Sequence, residues 1–172
     1  MNFIIKCFCT LFGVGYIRFA PGTFGSIASV LPLLLCPVSS SVLISGILIS
    51  FIFGSIASSE YCRICGKHDA SEIVIDEFCG VWLAILLSRW FLMGKIDILK
   101  GFKYLSGFSS NALLVICSLL LFRFFDIVKP FPIGFVDSKV KNGLGIMLDD
   151  VLAGLMSFVS LYLLLGLLSK FN

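Results

Sequence analysis

Five carboxylates and one arginine lie near the ends of long apolar segments of this sequence, in three pairs. In chain order the pairs are Asp76 with Glu77, Arg123 with Asp126, and Asp149 with Asp150. Ionisable groups in or beside membrane-spanning segments are energetically costly and are usually kept for function. Neighbouring carboxylates also repel one another unless a cation lies between them. Mg²⁺ takes carboxylate, water and phosphate oxygens as ligands, so such a set of acids would organise phosphoryl transfer.

Each pair also has a purely structural interpretation. An acidic residue at a helix start interacts favourably with the helix dipole, and residues three apart on a helix, as Arg123 and Asp126 are, can form a simple ion pair. Three pairs at one depth are harder to explain in this way. The candidate catalytic and metal-binding residues are therefore Asp76, Glu77, Asp126, Asp149 and Asp150.

The segment 20–26 is a second candidate for anion binding. Pro21 and the nearby glycines are expected to delay helix formation, and Thr23 and Ser26 offer hydroxyl donors and a helix N-cap. Free backbone N–H groups at the start of the following helix would then face an anion such as phosphate. The segment lacks the Lys-Ser/Thr ending of a nucleotide-binding P-loop, so the interpretation is limited to phosphate.

The elements that must position these residues are set by an unusually apolar composition. Of the 172 residues, 59% are hydrophobic and 13% are charged, with a mean hydropathy of +1.08. An ordinary soluble domain has about a quarter charged residues. The thirteen Lys and Arg form no basic stripe, which argues against a nucleic-acid partner. The composition indicates one integral-membrane domain over residues 1–172.

Hydropathy predicts the order of the membrane segments. A short apolar arm at 27–36 is interrupted at Pro37 and resumes over 38–59. Ten helical residues reach about 15 Å, half the hydrocarbon thickness, so the arm is predicted to be a half-spanning helix with a kink near Pro37. Continuous apolar runs exclude a β-barrel. The fold class is all-α, a polytopic bundle of the short helix and about four longer transmembrane helices, at 38–59, 73–93, 109–128 and 147–168.

Consecutive spans reverse direction, and this places the three ionisable pairs on one face of the membrane. The loops assigned to the same face hold somewhat more of the Lys and Arg residues than the opposite loops. The positive-inside rule therefore favours a cytoplasmic position for the acids.

A row of small residues recurs every fourth position in the predicted span 38–59. The row consists of Gly46, Ser50, Gly54 and Ser58. Small side chains in one row let another helix approach closely. This row is interpreted as a packing surface.

Several motifs, in this order and spacing, make the chain resemble the bacterial phosphatidylglycerophosphatase A family over nearly its whole length. The longest are the segments 75–80, 122–133 and 143–150, supported by 13–15, 20–26, His68-Asp69, Asp137 and Ala153-Gly154. The resemblance implies Mg²⁺-dependent phosphatases of the bacterial inner membrane that act on phosphatidylglycerol phosphate. The five candidate carboxylates all fall inside the shared motifs.

The resemblance also suggests how a phosphomonoester would be held. Mg²⁺ would neutralise some phosphate oxygens, and Arg123 and Lys129 would pair with the remaining negative charge. Asp137 belongs to the matched motifs. His68 is either a general acid towards the leaving alkoxide or an exposed loop residue, because the link after it, at 70–72, departs from the expected glycine-containing pattern. Direct attack by water and a phospho-aspartate intermediate both remain open.

Two other functions are compatible with intramembrane acids. A proton- or cation-coupled transporter component would place acids near the middle of spans and along a path to both faces, whereas these acids gather near one interface. A phosphotransferase of the CDP-alcohol type would show a long aspartate signature that is absent. For a lipid substrate, the aromatic residues Phe122, Phe124, Phe125 and Phe131 are expected to line a lateral entry or to act as interfacial anchors.

Overall fold

The structure is a computed structural model that describes residues 3–66, 70–101 and 107–170. Every regular element in these ranges is helical, which confirms the all-α class. The α-helices are α1 (Phe3–Cys9), α2 (Pro21–Leu35), α3 (Ser40–Cys65), α4 (Ile75–Leu92), α5 (Ser110–Val128), α6 (Ile133–Lys139) and α7 (Gly143–Leu168), with short 3₁₀ helices at Val14–Tyr16 and Ile96–Gly101.

Three of the described helices are long and apolar enough to cross a membrane. They are α3, α5 and α7, with 26, 19 and 26 residues. Helix α4 has 18 residues, about 27 Å of helix, but it carries Asp76, Glu77 and Arg89. Helix α2 is apolar and has 15 residues, which gives about 22 Å against a hydrocarbon core of about 30 Å. The protein is thus a helical membrane bundle with one short apolar helix.

Helix α4 lies at the centre of the bundle, in contact with α2, α3, α5 and α7. Eleven of its 18 residues are buried, whereas only five of the 26 residues of α3 are. The neighbouring helices therefore separate α4 from lipid. This position explains why α4 can carry three charged side chains in a membrane protein.

Two glycines allow α4 and α7 to touch through their backbones. A Cβ atom on Gly154 would overlap the carbonyl oxygen of Gly80, and a Cβ atom on Gly80 would lie 2.5 Å from the carbonyl oxygen of Asp150. Asp76 lies one helical turn before Gly80, and Asp150 lies one turn before Gly154. The close crossing therefore brings the acids of the two helices together.

The short helix α2 begins earlier than its sequence predicts. Pro21 is its first residue, so the prediction that Pro21 and the nearby glycines delay the helix to about residue 27 is wrong. Proline suits the first helical position because the N–H that it lacks has no partner there in any case. The predicted break around Pro37 is confirmed, since α2 ends at Leu35 and α3 begins at Ser40.

Side chains from α4 and α5 satisfy the backbone at this break. Arg89 donates from Nη1 to the carbonyl oxygen of Val38, at 2.8 Å, and from Nη2 to Asn111 Oδ1, at 2.9 Å. Asn111 Nδ2 in turn donates to the carbonyl oxygen of Leu33, at 3.1 Å. Open backbone groups at membrane depth need partners within the protein, and these two side chains supply them.

The row of small residues on α3 is a packing surface, as predicted. Ser50, Gly54 and Ser58 are buried. A Cβ atom on Gly46 would lie 2.5 Å from the ring of Trp82, and one on Gly54 would lie 2.9 Å from the sulfur of Met147. The row thus admits large side chains from α4 and α7.

Candidate active site

A cavity of about 410 Å³ lies where α4 and α7 begin and α5 ends. The structure brings the acids of all three predicted pairs together in it. Polar and apolar surfaces both contribute to its walls, and its volume falls in the range of small-molecule sites. The charged residues that line it are Asp76, Glu77, Asp126, Lys129, Asp137, Lys141, Asp149 and Asp150.

Asp76, Glu77 and Asp150 form a three-carboxylate group at the buried end of this cavity. One oxygen from each side chain lies within 4.8 Å of the other two. Asp76 Oδ1, Glu77 Oε2 and Asp150 Oδ2 are buried and have no hydrogen-bond partner. Buried, unpaired polar oxygens are strongly unfavourable, and three carboxylates at this distance repel one another.

The three-carboxylate group fits a hard divalent cation. All three ligand atoms are carboxylate oxygens, the type that Mg²⁺ prefers, and Mg²⁺ usually keeps further positions for water and substrate phosphate. Each of the three side chains also has a buried oxygen without a partner, which a bound ion could satisfy. The chemistry of the donors therefore agrees with a metal site.

Arg123 extends from α5 beside the three-carboxylate group. Its Nη1 atom lies 2.5 Å from Asp126 Oδ2 and 3.9 Å from Glu77 Oε1. Arg123 Nε is buried and has no hydrogen-bond partner. Asp126, which the sequence suggests as a metal ligand, therefore serves in this structure as the counter-ion that fixes the guanidinium.

Thr23 and Ser26 face Arg123. The guanidinium donates from Nη2 to Thr23 Oγ1 and from Nη1 to Ser26 Oγ, both at 3.4 Å. Ser26 Oγ donates to the carbonyl oxygen of Gly22, at 2.8 Å, inside α2, so the prediction of Ser26 as a helix N-cap is wrong. The two hydroxyls orient the arginine, and the cavity wall of this segment is formed by Pro21 and Gly22.

Gly22 lets the first turn of α2 close over the contact between Glu77 and Arg123. A Cβ atom at this position would overlap Glu77 Oε1 and would lie 3.2 Å from Arg123 Nη1. Any side chain here would have to displace one of the two charged groups. The glycine thus sets the distance between α2 and the site.

Lys129 joins the ends of α5, α6 and α7. Its Nζ atom donates to Asp137 Oδ1 and to Asp149 Oδ2, both at 2.7 Å. Burial alone would lower the pKa of Lys129, but the hydrogen bonds and charges of the two aspartates outweigh it, so the pKa is raised. Lys129 therefore stays protonated, and Asp149 is held by a cation at the side of the three-carboxylate group.

Sequence reasoning missed Lys141, which also lines the cavity. Lys141 is an exposed residue in the loop between α6 and α7. Among the described residues it makes no ion pair, whereas Lys129 makes two. Its only sequence signal is its place in a short loop between two matched motifs, directly before Asn142, whose side chain caps α7.

His68 lies outside the described residues, together with Asp69. Its candidate part in catalysis stays a prediction. Ala70 and Ser71, which follow in the sequence, line the cavity.

The aromatic residues near Arg123 do not act as one surface. Phe122 is fully buried and its ring packs against Gly80, so the prediction that it lines a lipid entry is wrong. Phe124 and Phe131 are 56% and 82% exposed. Phe125 packs against the core. Phe124 and Phe131 are thus the most exposed of the four, whereas Phe125 is half-buried.

Comparison with known proteins identifies related sequences over most of the chain. The model of a family described as Phosphatidylglycerophosphatase A matches residues 7–165. A phosphatidylglycerophosphatase A of Haemophilus influenzae is 37% identical over 158 residues, which cover 88% of this chain and 82% of the relative. A phosphatidylglycerophosphatase A of Escherichia coli is 30% identical over 168 residues, which cover 92% and 84%.

A third relative has a different name. This protein of Bacteroides thetaiotaomicron, provisionally named as a phosphatidylinositol-3-phosphatase, is 33% identical over 159 residues, which cover 87% of this chain and 86% of the relative. No solved structure matches the chain.

Proposed function

This chain belongs to the phosphatidylglycerophosphatase A family, and from that premise we propose that it hydrolyses phosphatidylglycerol phosphate to phosphatidylglycerol and inorganic phosphate. Its family membership makes it an enzyme, a phosphatase. One observation supports the proposed reaction best. Three carboxylates, each with a buried and unpaired oxygen, line one cavity at the helix ends, and beside them lies an arginine that an aspartate fixes.

We infer that Asp76, Glu77 and Asp150 hold Mg²⁺. When bound there, Mg²⁺ would supply the positive charge that lets a phosphate dianion enter a strongly acidic cavity. The carboxylates would keep the ion at the meeting point of α4 and α7. Asp126 and Asp149 would contribute by holding cationic side chains in place.

The cationic side chains of the chain itself would bind and orient the phosphate. Arg123 is anchored by Asp126 and by the hydroxyls of Thr23 and Ser26, so its remaining donors have a fixed direction. Lys129 is held between Asp137 and Asp149. Fixed charges of this kind stabilise negative charge in a transition state without reorganisation.

The net reaction requires little from the protein beyond positioning. A bond forms between phosphorus and a water-derived oxygen, the bond between phosphorus and the terminal glycerol oxygen breaks, and that oxygen receives a proton. Phosphoryl transfer depends mainly on positioning and electrostatics. The acyl chains would remain in the bilayer while the head group enters laterally, since the cavity lies at the ends of apolar helices.

We further propose that the enzyme resides in the bacterial cytoplasmic membrane with the cavity facing the cytoplasm. The excess of Lys and Arg on the cavity side supports this orientation. Cys62 lies in α3 on the same side, near its end at Cys65. Thiol reagents that cannot cross membranes should therefore fail to label either cysteine in intact cells, and efficient labelling would reverse the orientation.

Phosphate release by the purified protein in mixed micelles tests the proposed function. We expect Mg²⁺-dependent release from phosphatidylglycerol phosphate that EDTA abolishes. Phosphatidylinositol 3-phosphate should be included, because one relative is named for it, and water-soluble glycerol phosphate should be turned over far less efficiently because it lacks the remote chains. No release from phosphatidylglycerol phosphate under any metal condition would refute the proposal.

A further inference from the structure

The lining of the cavity is strongly unbalanced in charge. Six carboxylates and two lysines line it, and Arg123 lies 3.9 Å from the lining residue Glu77. Even with a divalent cation on the three-carboxylate group, the lining remains acidic. Binding of a polyanionic head group therefore depends on any basic side chain of the cavity that is not already paired with an acid.

Two of the three basic side chains are already neutralised by the protein. Arg123 is paired with Asp126, and Lys129 is paired with Asp137 and Asp149. These ion pairs hold the donors in defined directions but add little net positive charge. Donors with fixed directions are appropriate for the reacting phosphate, because that phosphate must be oriented for attack.

Lys141 differs from both in position and in pairing. It is exposed, and no acidic side chain in the described ranges forms an ion pair with it. The three-carboxylate group lies at the deep end of the same cavity, where Asp150 is 3% exposed. Lys141 thus offers an unmatched charge at the rim of the cavity, on a long and flexible side chain.

The proposed substrate carries two phosphates that differ in place and charge. Its terminal phosphomonoester must reach the buried carboxylates to react. Its phosphodiester connects the head group to the acyl chains and therefore stays towards the membrane and the rim. On the premise of the proposed function, we propose that Lys141 binds the phosphodiester and so selects lipids whose head group carries both a diester and a terminal monoester.

Kinetics of purified variants in neutral-detergent mixed micelles test this role. Lys141→Gln should lower kcat/KM for phosphatidylglycerol phosphate by about tenfold, mainly by raising KM, because a charge-assisted hydrogen bond is lost. Lys141→Arg should recover most of it. Lys139→Gln is the matched control, since Lys139 is exposed, lies two residues away and does not line the cavity.

Phosphatidic acid separates the two phosphates, because it has a monoester and acyl chains but no diester. Used as a competitor of phosphatidylglycerol phosphate hydrolysis, it should show the same inhibition constant for wild type and Lys141→Gln. An inhibition constant that rises in parallel with KM would assign Lys141 to the monoester and overturn the proposal.

Two further outcomes would also overturn it. They are unchanged kinetics in Lys141→Gln, and an equal loss in Lys139→Gln, which would indicate general attraction by surface charge. Failure of the proposed function would be seen separately, as wild-type protein that releases no phosphate from phosphatidylglycerol phosphate.

Discussion

The two ends of the bundle both contain charged side chains in a largely apolar protein, but they treat them in opposite ways. At the end near the break between α2 and α3, the Nη atoms of Arg89 donate to the carbonyl oxygen of Val38 and to Asn111 Oδ1. The amide of Asn111 in turn donates to the carbonyl oxygen of Leu33. At the other end, Asp76, Glu77 and Asp150 are left with mutually repelling, unpaired oxygens.

This difference distinguishes a structural charge from a functional one. The Arg89 network satisfies open backbone carbonyls, so its removal should weaken folding and leave chemistry intact. Apart from the 3.9 Å contact between Glu77 and Arg123, the three-carboxylate group pairs with no cation in the described protein, so its removal should abolish activity and relieve repulsion. The distinction rests on the kind of neighbour: Arg89 donates to carbonyl and amide oxygens, although its Nε atom is buried without a partner, whereas the three carboxylates lie against one another.

The largest expected effect is loss of activity at the acidic end. Asp76→Asn and Asp150→Asn should each lower phosphate release by about 10³-fold, or about 4 kcal/mol of transition-state stabilisation, because each removes a charge that the metal requires. Without Mg²⁺ both variants should melt at or above the wild-type temperature, since repulsion is relieved.

The control for this pair is Asp97→Asn, which changes an exposed acid outside the cavity and should leave turnover unchanged. Near-normal turnover of both Asp76→Asn and Asp150→Asn at saturating Mg²⁺ would mean that the three carboxylates are structural, and the comparison between the two ends would fail.

The next effect concerns the helix crossing that assembles the acidic end. Gly154→Ala should destabilise the protein by about 3 kcal/mol, because its Cβ atom would overlap the carbonyl of Gly80. It should also reduce activity by moving Asp150 away from Asp76. Gly166→Ala lies on the same helix with open space around it and should change neither property. Thermal melting and phosphate release measure both, and equal behaviour of the two variants would contradict a tight crossing.

A smaller effect is expected at the opposite end. Arg89→Met should lower stability by about 2 kcal/mol, because the carbonyl of Val38 loses its donor in an apolar setting, while turnover below the melting temperature stays normal. Arg63→Met removes an arginine that is exposed and paired on the surface with Glu60, and the melting temperature should not change. If Arg89→Met lost activity at temperatures where it is folded, Arg89 would have a role in catalysis, and the comparison between the two ends would fail.

The smallest effect is the stabilisation that Mg²⁺ itself brings. At about ten times its dissociation constant, Mg²⁺ should stabilise the wild type by about 1.4 kcal/mol, seen as a melting temperature a few degrees higher. Asp150→Asn should lose most of this shift, and Asp97→Asn should keep it. A shift of equal size in all three proteins would place the ion elsewhere.

The convergence of the acids could be predicted from sequence because it depends only on the alternation of spans. Three ionisable pairs at successive span ends must share a face when the spans run antiparallel. The break near Pro37 was predictable for a similar reason, since the available arm is too short to cross. Both conclusions follow from lengths and periodicity.

Which acids form the three-carboxylate group and which act as counter-ions could not be predicted in this way. The sequence offers Asp76, Asp126 and Asp149 as equivalent carboxylates, and only the distances to Arg123 and Lys129 separate an unpaired acid from a counter-ion. The start of α2 is ambiguous in the sequence, because proline breaks a helix interior but is favourable at a first helical position, where Pro21 lies. Lys141 could not be predicted from helix periodicity, because it lies in a loop and only the path of that loop brings it to the cavity.

The central position of α4 has a consequence for how the chain enters the membrane. Charged residues are strongly disfavoured when the insertion machinery passes an isolated segment to lipid, and α4 carries Asp76, Glu77 and Arg89. Two of its charged side chains, Glu77 and Arg89, have partners on α5, and the acids of α4 meet Asp150 of α7; both helices are synthesised after α4. In a nascent chain that ends at Leu92, α4 therefore lacks the contacts with α5 and α7 that separate it from lipid. Stable integration of this helix must wait for the carboxyl-terminal half, so the topology of the protein is settled by the whole chain and late in its synthesis.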